Sequence, residues 1–273
     1  MRKTFDKKEL DAALSQIADH LQRRMTCHLI GGCAMTFRGQ KLATKDIDLV
    51  LLGSKNFEDL IEAMEAAGFS GVPNPGGEYQ ELGARTIMES PGGMRFDLFG
   101  QVICRKLSFS QQMRERSTDE VTFGHLTVRL ASAEDIFLFK GVTDRPDDLD
   151  DMSILAVGGL NWNIIKEECL SQESGRNWAS HLVGKLEDLE ESFDIVAPIT
   201  SDLREWAEVF AMEAAVSSFL KGRAKSFEVI REHLQSMYDC TEEEAAEELA
   251  RLVEHQVLLV QTKGETRYYR EKK

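Results

Sequence analysis

The chain has no apolar run approaching the length of a membrane span, which excludes a lipid-crossing helix. Its opening residues, Met1-Arg2-Lys3-Thr4-Phe5-Asp6, lead into charge and lack the apolar centre of a secretory signal, so a cytoplasmic location is expected. Cysteine is sparse: Cys27, Cys33, Cys104, Cys169 and Cys240 are odd in number, with no Cys-x-x-Cys spacing. A disulfide framework and a structural zinc site are both disfavoured, and small core residues are expected instead. The six histidines show no paired metal spacing and no Ser-His-Asp arrangement. Positive charge is in deficit, with 33 Lys and Arg against 47 Asp and Glu and a formal net charge of −14. Broad, non-specific nucleic-acid binding depends on neutralising phosphates and is disfavoured, although a local basic patch stays open.

What is present is enough for two globular domains: 273 residues, 42% hydrophobic and 29% charged. The most informative segment is Asp46-Ile47-Asp48, followed by the apolar run Leu49-Val50-Leu51-Leu52. Side chains alternate along a strand, so Asp46 and Asp48 share one face and Ile47 takes the other. An apolar run on both faces predicts a central strand covered on both sides. Two carboxylates at the edge of such a core repel each other and resist desolvation. A divalent cation relieves both problems, and Mg²⁺ accepts one or two carboxylates together with phosphates and water. Fourteen residues upstream is the pair Gly31-Gly32, which suits a strand-to-helix turn. Downstream, Ala84–Met88, the turn Ser90-Pro91-Gly92-Gly93 and Met94–Phe99 read as a hairpin carrying Asp97. If that strand pairs with the Asp46 strand, Asp97 joins the carboxylates; otherwise it is a solubilising acid on an exposed face. Three carboxylates around one or two metals suit phosphoryl or nucleotidyl transfer.

The segments His28-Leu29-Ile30-Gly31-Gly32-Cys33-Ala34-Met35, Thr44-Lys45-Asp46-Ile47-Asp48-Leu49-Val50 and Phe96-Asp97-Leu98-Phe99 together resemble the DNA polymerase β-type nucleotidyltransferase superfamily. They are most similar to its small prokaryotic members, which include toxin components of toxin–antitoxin systems. The resemblance covers roughly residues 25 to 155. It implies an NTP substrate, Mg²⁺ or Mn²⁺ held by Asp46, Asp48 and Asp97, and catalysis by the same three acids. It also implies nucleotide contacts from Gly31, Gly32, Cys33, Thr44, Lys45, Lys140 and Arg145. Cys33 stands where no hydroxyl is found to add a phosphate contact, which leaves backbone N–H groups at the helix start for that role. The implied acceptor is a tRNA end, a protein hydroxyl or a small molecule, and an antitoxin is a possible partner.

The rest of the chain reads as follows. Residues 6–25 carry Leu10, Leu14, Ile17 and Leu21 at helical spacing. A helix over 56–67 stops at Gly68, and residues 71–78 form a loop, either a flap near the site or a surface connection. Leu126–Leu130 is a strand, and Ser132 caps a helix running to about Thr143. Lys140 on that helix either approaches a triphosphate or is a solvated surface residue. The acids of Asp144–Asp151 are expected to cap a helix and face water, with a packing or nucleotide-side role for Arg145, Asp150 and Asp151 as the alternative. Helices follow over 161–171, 176–193, 200–221 and 224–238. Near the end, Thr241-x-x-Glu244 is a capping box, and Val257–Val260 with Thr266–Arg270 form a hairpin turning at Gly264.

The expected architecture is therefore α/β (α+β): a mixed-sheet core over 1–158, a helical extension over 159–221 and a winged-helix-like domain over 222–273. The acids Glu242, Glu243, Glu244, Glu247 and Glu248 on the second helix of that domain would meet DNA phosphates badly. A protein-interaction or self-association role, or an RNA grip by its basic hairpin, is favoured over sequence-specific DNA reading. The alternative to transfer is a nucleotide-sensing regulator acting through this domain.

Overall fold

A computed structural model describes residues 3–73, 83–103, 107–143, 145, 147–172, 175–238 and 241–272. Cys104, Cys240, Asp144 and the expected loop from residue 74 onward lie outside the described residues. The chain divides into two compact units, 1–200 and 201–273.

The first unit runs β1 (Phe5–Asp6), α1 (Lys7–Asp19), β2 (Met25–Ile30), α2 (Gly31–Phe37), β3 (Ala43–Thr44), β4 (Asp46–Val50), α3 (Ser54–Ala66), β5 (Ser70–Gly71), β6 (Thr86–Glu89) and β7 (Arg95–Phe99). It continues through β8 (Val102–Ile103), β9 (Leu107–Ser108), α4 (Gln111–Arg116), β10 (Glu120–Phe123), β11 (Leu126–Leu130), α5 (Ala133–Gly141), α6 (Asp148–Val157), α7 (Trp162–Ser171) and α8 (Gly175–Phe193). Seven strands form one mixed sheet in the order β10-β11-β2-β4-β7-β6-β5. The β11–β2 and β4–β7 pairs are parallel and the other neighbours antiparallel. The strand bearing Asp46 and Asp48 is thus the middle one, and Ile47, Leu49, Val50 and Leu51 are buried, as its two-sided apolar pattern requires. The hairpin β6–β7 forms, and β7 pairs in parallel with β4.

Helix α1 buries Leu10, Leu14 and Ile17 and opens with a capping box between Asp6 and Glu9. It ends at Asp19, earlier than its apolar spacing suggests, because Met25 already pairs with Leu126 as β2 begins. Helix α3 stops before Gly68, which has φ +88°. The short α4 has one buried residue, Met113, and no periodicity to betray it. Arg116 at its end donates to Asp135 on α5 at 2.6 Å and to Glu168 on α7 at 2.5 Å. Both carboxylates are buried, so one guanidinium ties three helices together.

The second unit comprises α9 (Thr200–Leu220), β12 (Lys225–Ser226), α10 (Phe227–Tyr238), α11 (Glu242–Glu254), β13 (Leu258–Lys263) and β14 (Thr266–Glu271). Its strands pair in the order β12-β14-β13. Val216, Leu220, Ile230, Leu234, Leu249, Leu252 and Tyr269 form its own core. The capping box at Thr241 and Glu244 forms, and the hairpin turns at Gly264 with φ +63°. Among the described residues, no helix is long and apolar enough to cross a membrane.

Candidate functional site

The site is assembled on one face of the sheet by strand register. Asp48 on β4 lies opposite Asp97 on β7 across a parallel pair, and opposite Ile30 on β2 across an antiparallel pair. Residues directly opposite share a face, so Asp48 and Asp97 project together, with Asp46 two residues along on the same side. Asp97 is 1% exposed and Asp48 8%. The solubilising reading of Asp97 is therefore corrected: its strand is covered, and the acid lies inside.

Burial is the largest influence on Asp48 and, with the neighbouring charge of Asp46, pushes its carboxyl up to about 6. The charges of Arg145 and Lys140 pull the other way, which sets both cations close enough to act on it. Gly31, at the end of β2, has φ +63°, and a Cβ there would collide with Asp48 Oδ2 and stand 3.2 Å from Asp48 Cγ. A Cβ on Gly32 would come within 3.1 Å of Thr44 Oγ1 and 3.8 Å of Lys41 Nζ. The two glycines thus let the acid strand and the Thr44–Lys41 side chains close over the start of α2. Cys33 is fully buried, and burial, reinforced by Asp48 and Asp11, holds its thiol well above the usual range, so it is a packing residue and no nucleophile. Cys27 and Cys169 are likewise buried.

The cations beside Asp48 are held by a second set of acids. Lys140, 6% exposed, reaches Asp148 at 2.7 Å and Asp151 at 2.8 Å. Lys41 reaches the other oxygen of Asp151 at 2.6 Å, and Lys45 pairs with Asp147 at 2.8 Å. Thr143 Oγ1 donates to Asp148, and the Arg145 backbone N–H does so at 3.3 Å. Burial alone would raise the Asp148 carboxyl, but the charges of Lys140 and Arg145 and the hydrogen bonds from Lys140 and Thr143 hold it below the usual range. Two expectations are corrected here. Lys140 is no solvated helix residue, and Asp148 and Asp151 do not face water; only Asp147 and Asp150 of that run are exposed. Nor does the Asp147 side chain cap α6, since its carboxylate is engaged by Lys45. Lys41 was not among the residues singled out from the sequence, and it carries no motif; only the return of the chain through β3 places it over Gly32.

The donor set suits a hard cation such as Mg²⁺, which needs only one or two carboxylates and completes its shell with water and phosphate. The raised Asp48 carboxyl marks a place where positive charge is in short supply. Among the described residues, no three His, Cys, Asp or Glu side chains converge into a closed metal cage. The arrangement fits an open site along a strand face, with Asp46, Asp48 and Asp97 as its oxygen donors.

A model of a family described as "Nucleotidyltransferase of unknown function (DUF6036)" matches residues 7–190. That span contains the sheet, both glycines, the three acids and the Lys140–Asp151 segment. A comparison with curated proteins finds no match.

Proposed function

The chain belongs to this nucleotidyltransferase family, and on that premise we propose that it moves a nucleoside monophosphate from an NTP to an acceptor hydroxyl with the help of Mg²⁺. The reading rests on one observation above all: Asp48 and Asp97 stand in register, buried, on parallel neighbouring strands, with Asp46 on the same face. The finer resemblance to polymerase β-type enzymes, and to toxin-like members among them, belongs to the same proposal.

The residues divide the work as follows. Backbone N–H groups at Gly31 and Gly32, with Lys41, Thr44, Lys45, Lys140 and Arg145 around them, hold the triphosphate. Asp147, Asp148 and Asp151 keep those cations extended and fixed, so little reorganisation is needed when phosphate arrives. Bound at Asp46, Asp48 and Asp97, Mg²⁺ supplies charge neutralisation at the α-phosphate. Asp97 takes the proton of the acceptor hydroxyl. The acceptor oxygen then bonds to the α-phosphorus as the bond to pyrophosphate breaks. Positioning and charge neutralisation carry most of the rate, as in phosphoryl transfer generally.

The test is transfer of label from each α-labelled NTP, with Mg²⁺, into total tRNA, a cell-protein extract or the protein itself. Label in one pool that disappears with Asp46→Ala/Asp48→Ala supports the reading; no label in any pool overturns it. A second reading is favoured by the separate core of residues 201–273. Two helices followed by a strand pair suit a winged-helix-like module, and nucleotide bound in the first unit would then regulate what this module contacts. Mg²⁺-dependent NTP binding without transfer would support that alternative.

A further inference from the structure

A second cationic feature lies on the acid-bearing face, away from the glycines. A pocket of about 530 Å³ is lined by Gln111, Arg114, Glu115, Ser117, Thr118 and Arg129. Arg129 on β11 is the register partner of His28 on β2. His28 lies two residues before Ile30, which faces Asp48. Arg129, His28 and Asp48 therefore share one face of the sheet. With strands about 4.8 Å apart and about 3.4 Å per residue along each, the Arg129 and Asp48 backbones are roughly 12 Å apart.

His28 links the two places. It is 7% exposed, and its ring sits 4.8 Å from Phe109, just ahead of α4, which brings Gln111, Arg114 and Glu115 to the pocket. Its Nδ1 has no hydrogen-bond partner among the described residues. The charges of both Arg129 and Arg114 act on this ring, which fixes their direction of approach.

The polar partners within the pocket leave cationic capacity over. Gln111 occupies Glu115 at 2.8 Å, and Arg129 Nε reaches Glu120 at 3.2 Å. Arg114 Nε donates to the Ser110 carbonyl at 3.3 Å, and no carboxylate is paired with its guanidinium. This differs from the glycine side, where Lys41, Lys45 and Lys140 each have an acid. The lining suits an anion with several oxygens: two guanidiniums, two hydroxyls and an amide. A polycationic small acceptor would be repelled here, and a peptide would find little apolar surface.

We infer that this pocket binds a backbone phosphate of a single-stranded nucleic-acid acceptor whose terminal hydroxyl reaches the Asp46–Asp48–Asp97 face. The inference rests on the transfer reading above and names its acceptor class. One phosphate in the pocket places the strand end across His28, and the acidic remainder of the surface confines binding to that spot. Strong salt dependence follows from so local a contact.

The experiment is fluorescence anisotropy of a labelled, mixed-sequence single-stranded oligoribonucleotide with the full chain, in metal-free buffer across a salt series. Arg114→Ala/Arg129→Ala is expected to weaken binding roughly ten- to hundredfold. It should also lower the slope of log affinity against log salt by about 1.4, from roughly 0.7 for each lost phosphate contact. Arg114→Lys/Arg129→Lys, which keeps the charge, should recover most of the slope, and thermal melts of both variants report whether the fold is intact. Unchanged affinity and slope in the alanine variant would overturn the inference. So would label transferred to protein with equal efficiency by wild type and variant, which would leave the transfer reading standing. Binding lost in the arginine variant, with no transfer into any pool by wild type, would keep the pocket and sink the transfer reading.

Discussion

Gly31 and Asp48 compete for one volume: a Cβ on the glycine would overlap the carboxylate oxygen of the acid. The glycine also has φ +63°, where an L side chain costs roughly 1–2 kcal/mol. Gly31→Ala is therefore expected to displace Asp48 and lower transfer by at least an order of magnitude. Gly39→Ala is the control, because Gly39 has φ +74° with nothing within 4 Å of an added Cβ. Equal loss in the two variants would assign the effect to backbone strain and remove the collision with Asp48 from the explanation.

Burial raises the Asp48 carboxyl to about 6 from an ordinary 3.8. The folded state thus holds its proton more tightly than the unfolded state between those values, and stability falls as pH rises through that window. Above it, the ionised carboxylate burdens the fold by up to roughly 3 kcal/mol. Asp48→Asn should raise the melting temperature at pH 8 and change it little below pH 4. Mg²⁺ should raise the melting temperature of the wild type at pH 8 more than that of the variant. A variant less stable than wild type at pH 8 would contradict the assignment of burial as the cause.

His28 behaves in the opposite sense. Burial, with the charges of Arg129 and Arg114, lowers it to about 4 from 6.5. The unfolded chain binds the proton first, so stability is present above about 6.5 and is lost as pH falls towards 4. His28→Phe, packing on Phe109, should be less sensitive than wild type to acid in that interval, by on the order of 2–3 kcal/mol. Urea melts at pH 7 and pH 4.5 read this directly, and parallel losses in both proteins would refute it.

Lys140 sits between Asp148 and Asp151 with all three side chains buried. Lys140→Met should cost about 3–5 kcal/mol at neutral pH, because it strands negative charge in the core. Adding Asp148→Asn should return part of that loss, since Lys41 still serves Asp151. Denaturant titrations of the single and double variants give the coupling. If the double variant is no more stable than the single one, the buried charge is not what the substitution exposes.

The parts of the fold legible in the sequence are those fixed by near neighbours. Alternation alone set Asp46 and Asp48 on one side of their strand, and the two-sided apolar run marked it as interior. The turn residues before Met94 gave the hairpin, and the spacing of Thr241 and Glu244 gave the capping box. The strand β10 and the short α4 were missed because neither has enough residues to show a period, and both depend on what they pack against.

The local pattern thus determined the strand of acids, the glycine turn and the helical run that follows, since propensity and periodicity act over a few residues. Only the tertiary structure decided which side chains meet. Register across β4 and β7 brought Asp97 to Asp48 from about fifty residues away. Parallel pairing of β11 with β2 set Arg129 beside His28, about a hundred residues apart. The packing of α5 against α6 turned Lys140, Asp148 and Asp151 from an apparently solvated charge run into a buried network. A charged residue has the same letter in water and in a core. Its burial is set by partners distant in the chain, so the sequence pattern around it does not reveal it.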